Sequence, residues 1–173
     1  MSNTKKITIS ALMVALGTAI MSLAIVAQDF LDLSACAIAS VLVVFVYIEI
    51  GSYFPWLVWI CTTLTTALLL PNSLMWAEYF TVFGLYPLIK AYIERLPRWS
   101  WLIVKLVYIN TVIGLLVLLS HFIVPELLED SPIMLLVTYI LMNVAFVAYD
   151  YFIVIMARFY IIKLRPKIKK LLK

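Results

Sequence analysis

Glu78 lies a turn or two inside a long apolar stretch, with no lysine or arginine expected at its level. A carboxylate at that depth needs a hydrogen-bond donor, a proton or a ligand, which makes it a default functional candidate. At a similar depth the sequence supplies Gln28, Asp29, Asp32, Asn72, Trp76, Tyr79, His121 and Tyr139, with Asn110 and Asn143 nearer the middle of their stretches. If these converge, they line an outward-opening cavity with aromatic walls, a few hydrogen-bonding groups and negative potential, the usual makeup of a small-molecule site. Such a site favours neutral or cationic ligands over phosphates. A plainer reading stands beside this one. Trp76, Tyr79 and Tyr139 then belong to an interfacial aromatic belt, His121 is a capping residue near the headgroups, and Glu78 is protonated or reaches water.

A second set of charges falls near the opposite ends of the apolar stretches: Glu49, Lys90, Lys105 and Asp150. Two acids and two bases in one layer predict an ion-pair network that satisfies all four and fixes helix packing, in preference to a proton or ion path. Catalytic constellations are missing. The single histidine excludes a multi-histidine metal site, no Gly-rich phosphate loop or HExxH occurs, and no Ser, His and acid are spaced as a nucleophile would need. The expectation is therefore a non-enzyme with no metal, no cofactor and no nucleotide site of its own. Cys36 and Cys61 sit inside apolar runs and read as small packing residues.

The elements that position these groups follow from composition. Of the 173 residues, 66% are hydrophobic and 13% charged, and the mean hydropathy is +1.12. So much apolar surface calls for lipid as solvent. Helices need about 20 apolar residues to cross the hydrocarbon core, and six stretches qualify: Ile7 to Ala27, Leu33 to Ile50, Tyr53 to Leu70, Ser73 to Ile93, Trp99 to Val124 and Pro132 to Ile162. The expectation is one all-α, six-helix transmembrane domain over residues 1–173 with a basic tail from about 163 to 173. Residues Lys5-Lys6 and the following apolar run resemble a secretory signal ending at Ile25-Val26-Ala27, but the run is long and reads as the first membrane helix. Pro55 fits the first turn of its helix. Pro87, after Gly84, predicts a kink in the fourth helix and a freed carbonyl near Leu85 or Phe83.

All 13 Lys and Arg residues fall on one side of this arrangement, whereas the other loops carry only Asp29, Asp32, Glu126, Glu129 and Asp130. By the positive-inside rule both termini lie in the cytoplasm of a multi-pass plasma-membrane protein. The tail alternates Lys163, Arg165, Lys167, Lys169, Lys170 and Lys173 with apolar residues, which suits it to lie along anionic headgroups. Those headgroups account for the net charge of +4 without nucleic acid.

Ala11, Ala15 and Ala19 recur every four residues, a smooth stripe against which another helix can pack closely, either within the bundle or from a partner. The cytoplasmic lysine pair, this stripe, the turn Phe30-Leu31-Asp32-Leu33-Ser34 leading into a small-residue helix, and Gly51 at the next turn together resemble the substrate-binding S components of energy-coupling factor (ECF) transporters. The resemblance covers about the first 72 residues, and it departs from the family pattern at Gly51-Ser52-Tyr53, where many members carry Gly-Pro and a second Gly. It implies that Ala11, Ala15 and Ala19 dock the chain on a transmembrane coupling subunit, and that two ATPase subunits supply the energy. It also implies that a vitamin-like or other small molecule binds in the outer half. The competing expectations are a structural scaffold of the bacterial envelope without transport activity, and an ion carrier or membrane enzyme built on Asp150 and Glu49.

Overall fold

The computed structural model describes residues 2–24, 32–123 and 132–167, and within them all regular structure is helical. Helix α1 spans Asn3–Ala24, α2 Asp32–Glu49, α3 Phe54–Leu69, α4 Met75–Glu78, α5 Tyr86–Ile93, α6 Arg98–Ile123 and α7 Pro132–Phe159. A π-helical segment, π1, Tyr79–Phe83, follows α4, and a second, π2, Tyr160–Leu164, extends α7. Gln28, Asp29, Phe30, Leu31, Glu126, Glu129, Asp130, Lys169, Lys170, Lys173 and the His121 side chain lie outside the described residues.

Four of these stretches are long and apolar enough to cross a bilayer: Asn3–Ala24, Asp32–Glu49, Trp99–Ser120 and Leu136–Lys167. That is the build of a membrane protein. The expected third crossing, α3, is apolar but has 16 residues, about 24 Å of helix against a hydrocarbon core of about 30 Å. The expected fourth is divided into α4, π1 and α5. Side chains such as Leu102, Ile103, Leu118, Leu136, Leu141 and Val144 on α6 and α7 are exposed, the apolar surface that lipid would cover.

Local chemistry explains the breaks. Val46 C=O accepts from both the Ile50 and Gly51 amides at 2.9 and 3.0 Å, closing α2. Gly51 and Ser52 then follow with φ of 62° and 56°, a two-residue left-handed reversal that turns α2 back into α3. Pro55 occupies the first turn of α3, where its missing N–H goes unnoticed.

The core sits where α1, α2 and α3 meet the α4–π1–α5 run, around Met21, Cys36, Val43, Val58, Tyr79 and Tyr86. Helix α1 turns Ser10, Gly17, Thr18, Met21 and Ala24 inward. Gly17 lies so close to α3 that an added Cβ would stand 3.2 Å from Thr62 Cγ2, and Thr18 Oγ1 meets Thr65 Oγ1 at 2.7 Å. Close approach through small residues is how helices associate in lipid.

Around Pro87 the expected single helix is divided into three segments, and the Phe83 carbonyl is freed as its position predicts. The chain widens into π1, keeps helical dihedrals at Gly84 and Leu85, and restarts as α5 at Tyr86 with Pro87 in the first turn. Widening leaves carbonyls over. Gly84 N–H reaches back to Tyr79 C=O at 2.7 Å, one residue beyond the α-helical acceptor. Phe80 C=O instead takes the Trp59 indole N–H at 3.0 Å, Thr81 C=O accepts from Tyr108, and Phe83 C=O, which Pro87 cannot serve, accepts from Tyr149 at 2.6 Å.

Candidate functional site

The termini of the elements sort the charges before any side chain is considered. Helix α2 begins at Asp32 and ends at Glu49, which meets the Arg165 Nε at 2.8 Å. Lys6 lies over the Phe54 ring at the start of α3, and α5 ends beside Lys90, bonded to Asp150 of α7. The described bases therefore share one end of the bundle, with Asp32 and Glu78 toward the other.

At that acidic end, α4 carries Trp76 and Glu78 on a single helical turn. Met75 opens the turn with its amide on Ser73 Oγ at 3.1 Å, and its carbonyl takes the Cys36 thiol at 3.6 Å, which ties α4 to α2. Glu78 is partly buried, its Oε2 atom is shielded from solvent, and no described residue donates to that oxygen. Asp32 is near enough for its charge to bear on Glu78. The Glu78 side chain faces a cavity of about 30 Å³ whose other walls are apolar, among them Leu33, Phe83, Ile113, Met142 and Phe146. Trp76 Nε1 is likewise buried without an acceptor among the described residues. A buried acid and a buried donor, both with capacity left over, are the groups here that a small ligand or water would satisfy.

The remaining residues expected with Glu78 go elsewhere. Tyr79 is 1% exposed and belongs to the core, packed against Gly84, because the first residue of π1 points inward. Asn72 is exposed in the turn between α3 and α4. Tyr139 donates to Asn110 Oδ1, and Asn143 Nδ2 lies 3.4 Å from the same oxygen. These three form a polar seam joining α6 to α7, apart from the Glu78 cavity. Tyr139 and Asn143 fall on it because they are four apart on α7 and so share a face. Of the residues grouped by depth, Glu78 lines this cavity with Asp32 near it, whereas Trp76, two positions away on the same turn, is not among its walls.

At the basic end, Asp150 is the hub. Lys90 bonds Asp150 Oδ1, Lys105 reaches Oδ2 at 2.7 Å, and the buried Tyr86 hydroxyl donates to Oδ1 at 2.5 Å. Lys90 also lies 3.3 Å from Glu94 Oε1 and 3.3 Å from the Asp150 carbonyl. Glu49, expected in the same network, instead faces Arg165. Grouping by depth ignored that α2 meets the end of π2, whereas α5 meets the middle of α7. The sequence reading also missed Tyr86, Tyr149, Trp59 and Tyr108 as donors. Only Pro87 signalled that the Phe83 carbonyl would need one.

The alanine stripe lies away from the packing face of α1. Ala11, Ala15 and Ala19 are all exposed, on the side opposite Gly17 and Met21. The stripe is therefore unused by the described bundle.

No family model, curated protein or solved structure matches the chain.

Proposed function

We propose that this chain is the substrate-capturing membrane subunit of an ECF-type uptake transporter. It crosses the plasma membrane six times with both termini in the cytoplasm, and α3 and the α4–π1–α5 run serve as the third and fourth crossings. It takes a vitamin-like small molecule, neutral or cationic, at the end that carries Glu78, Trp76 and Asp32. Its alanine stripe docks on a transmembrane coupling subunit, and two ATPase subunits supply the work. The observation that carries this reading is the exposure of Ala11, Ala15 and Ala19 on a helix whose own packing uses the opposite face. A smooth, small-residue face in lipid suits close approach by another helix. Glu78 adds to it as a buried acid facing a cavity at the end without bases.

Replacing Ala11 and Ala15 with leucine is the test. The purified variant should keep its melting temperature, since neither side chain is buried, while co-purification of a coupling subunit and uptake both fall. Unchanged assembly would remove the docking role.

A second reading, a structural scaffold of the bacterial envelope without transport activity, is favoured by the size of the Glu78 cavity. About 30 Å³ admits a water but no vitamin. Mass spectrometry of molecules retained by the purified chain separates the two. A small polar compound lost on Glu78→Gln supports capture, and retention of nothing but lipid supports the scaffold.

A further inference from the structure

A cavity of about 260 Å³ lies at the basic end between α2, α5 and α7, away from Glu78. Val44, Ile48, Leu88, Ala91, Val154 and Ala157 give it apolar walls. It is large enough for several waters, yet water there would find few partners. Hydrocarbon would fit.

The cavity's polar lining residues are Tyr47, Lys90, Glu94 and Arg158. Lys90, 6% exposed, is fully engaged, with contacts to the Asp150 carboxylate, the Asp150 carbonyl and Glu94. Arg158 and Tyr47 differ. Both side chains are exposed and line the cavity, and neither bonds to any described residue. Lys90 and Lys105 are matched by Asp150 and Glu94, whereas Arg158, on the cavity wall, makes no ion pair with a described residue. Lys163 and Lys167 follow on the same helical run and add to the positive potential. A guanidinium with no bond to any described residue presents a planar fork that matches two oxygens of a phosphate.

From this juxtaposition of an apolar cavity and a guanidinium exposed beside it, we infer that the cavity is a binding site for an anionic phospholipid. The phosphate sits on Arg158 with the Tyr47 hydroxyl beside it, and one acyl chain lies between α2, α5 and α7. The lipid would bridge elements that Asp150 and Glu49 already join by ion pairs, so it adds to the stability of that end of the bundle. The site is independent of any ligand at Glu78.

The full chain, purified in a zwitterionic detergent, is titrated with phosphatidylglycerol, phosphatidylcholine or glycerol 3-phosphate and followed by native mass spectrometry and thermal melting. Phosphatidylglycerol should be retained and should raise the melting temperature, whereas phosphatidylcholine and the chain-free phosphate should do neither. Arg158→Gln should weaken retention by roughly tenfold, about the loss of one charge-assisted contact. Ala157→Trp, which fills the cavity and leaves the charge, should do the same. Lys163→Gln, on the same helical run but outside the cavity, should change retention by no more than about twofold. Equal retention of the two lipids would overturn the site, and so would equal effects of Arg158→Gln and Lys163→Gln. Protection by glycerol 3-phosphate alone would assign a soluble phosphate in place of the lipid. Should Ala157→Trp fail to fold, Arg158→Gln decides, because its side chain is exposed and its loss leaves the packing intact.

Discussion

At the scale of single residues, Asp150 decides the most. One carboxylate receives Lys90, Lys105 and the Tyr86 hydroxyl, so removing its charge strands Lys105 and leaves Lys90 with Glu94 alone. Asp150→Asn should therefore cost on the order of 3–5 kcal/mol, read as a large fall in melting temperature or loss of folded protein. Lys105→Met should be far milder, because Asp150 keeps Lys90 and one cation then balances one acid. An equal loss from both would show that the pair is not organised around the acid. Tyr149 is a quieter case. Its hydroxyl covers the Phe83 carbonyl left bare by Pro87 and also lies 2.8 Å from Ser40 Oγ. Tyr149→Phe should cost about 1–3 kcal/mol. Because Gly84 and Leu85 keep helical dihedrals, an alanine at 87 would aim its N–H at the same carbonyl. The penalty of Tyr149→Phe should accordingly shrink by about 1 kcal/mol in the Pro87→Ala background. A double-mutant cycle of melting free energies reads this, and strict additivity would separate the tyrosine from the proline.

At the scale of elements, the α4–π1–α5 run is where sequence and structure part. The long spans were legible: apolar length and the loop signals at Gly51, Pro71 and Pro132 place α1, α2, α6 and α7 within a few residues of their observed ends. What sequence could not show is a backbone that widens by one hydrogen bond over Tyr79–Phe83, because that choice is made by donors on three other helices, not by local propensity. The same holds for the site. Depth along a helix is readable from residue number, but azimuth is not, so Tyr79 turned into the core while Tyr139 and Asn143 turned to the α6–α7 seam. Gly84 is the checkable residue of this element. A Cβ there would stand 2.5 Å from Trp59 Cδ1 and 2.9 Å from Tyr79 Cε1. Gly84→Ala should destabilise by about 1–3 kcal/mol through overpacking. It should also loosen the Trp59 bond to Phe80, visible as a change in tryptophan fluorescence. A neutral Gly84→Ala would mean the two rings can retreat.

At the scale of the whole molecule, α1, α2 and α3 form one closely packed group, and α6 and α7 close around the α4–π1–α5 run from the other side. The outward alanine face of α1, its inward Gly17 face and the basic end of α7 thus belong to separate surfaces, so changes at one should leave the others standing. Leucines at Ala11 and Ala15 should leave lipid retention at Arg158 unchanged, a comparison the same native mass spectra provide. The donors that complete π1 also set an order of events during synthesis. Trp59 emerges from the ribosome before the α4–π1–α5 run does, but Tyr108 and Tyr149 emerge after it, the last by more than sixty residues. At about 5–20 residues per second, that segment waits several seconds with the Thr81 and Phe83 carbonyls still lacking their donors. A quality-control protease surveying half-made chains would meet its most vulnerable substrate in that interval, and any nascent chain stalled before the seventh helix should be cleared rather than stored.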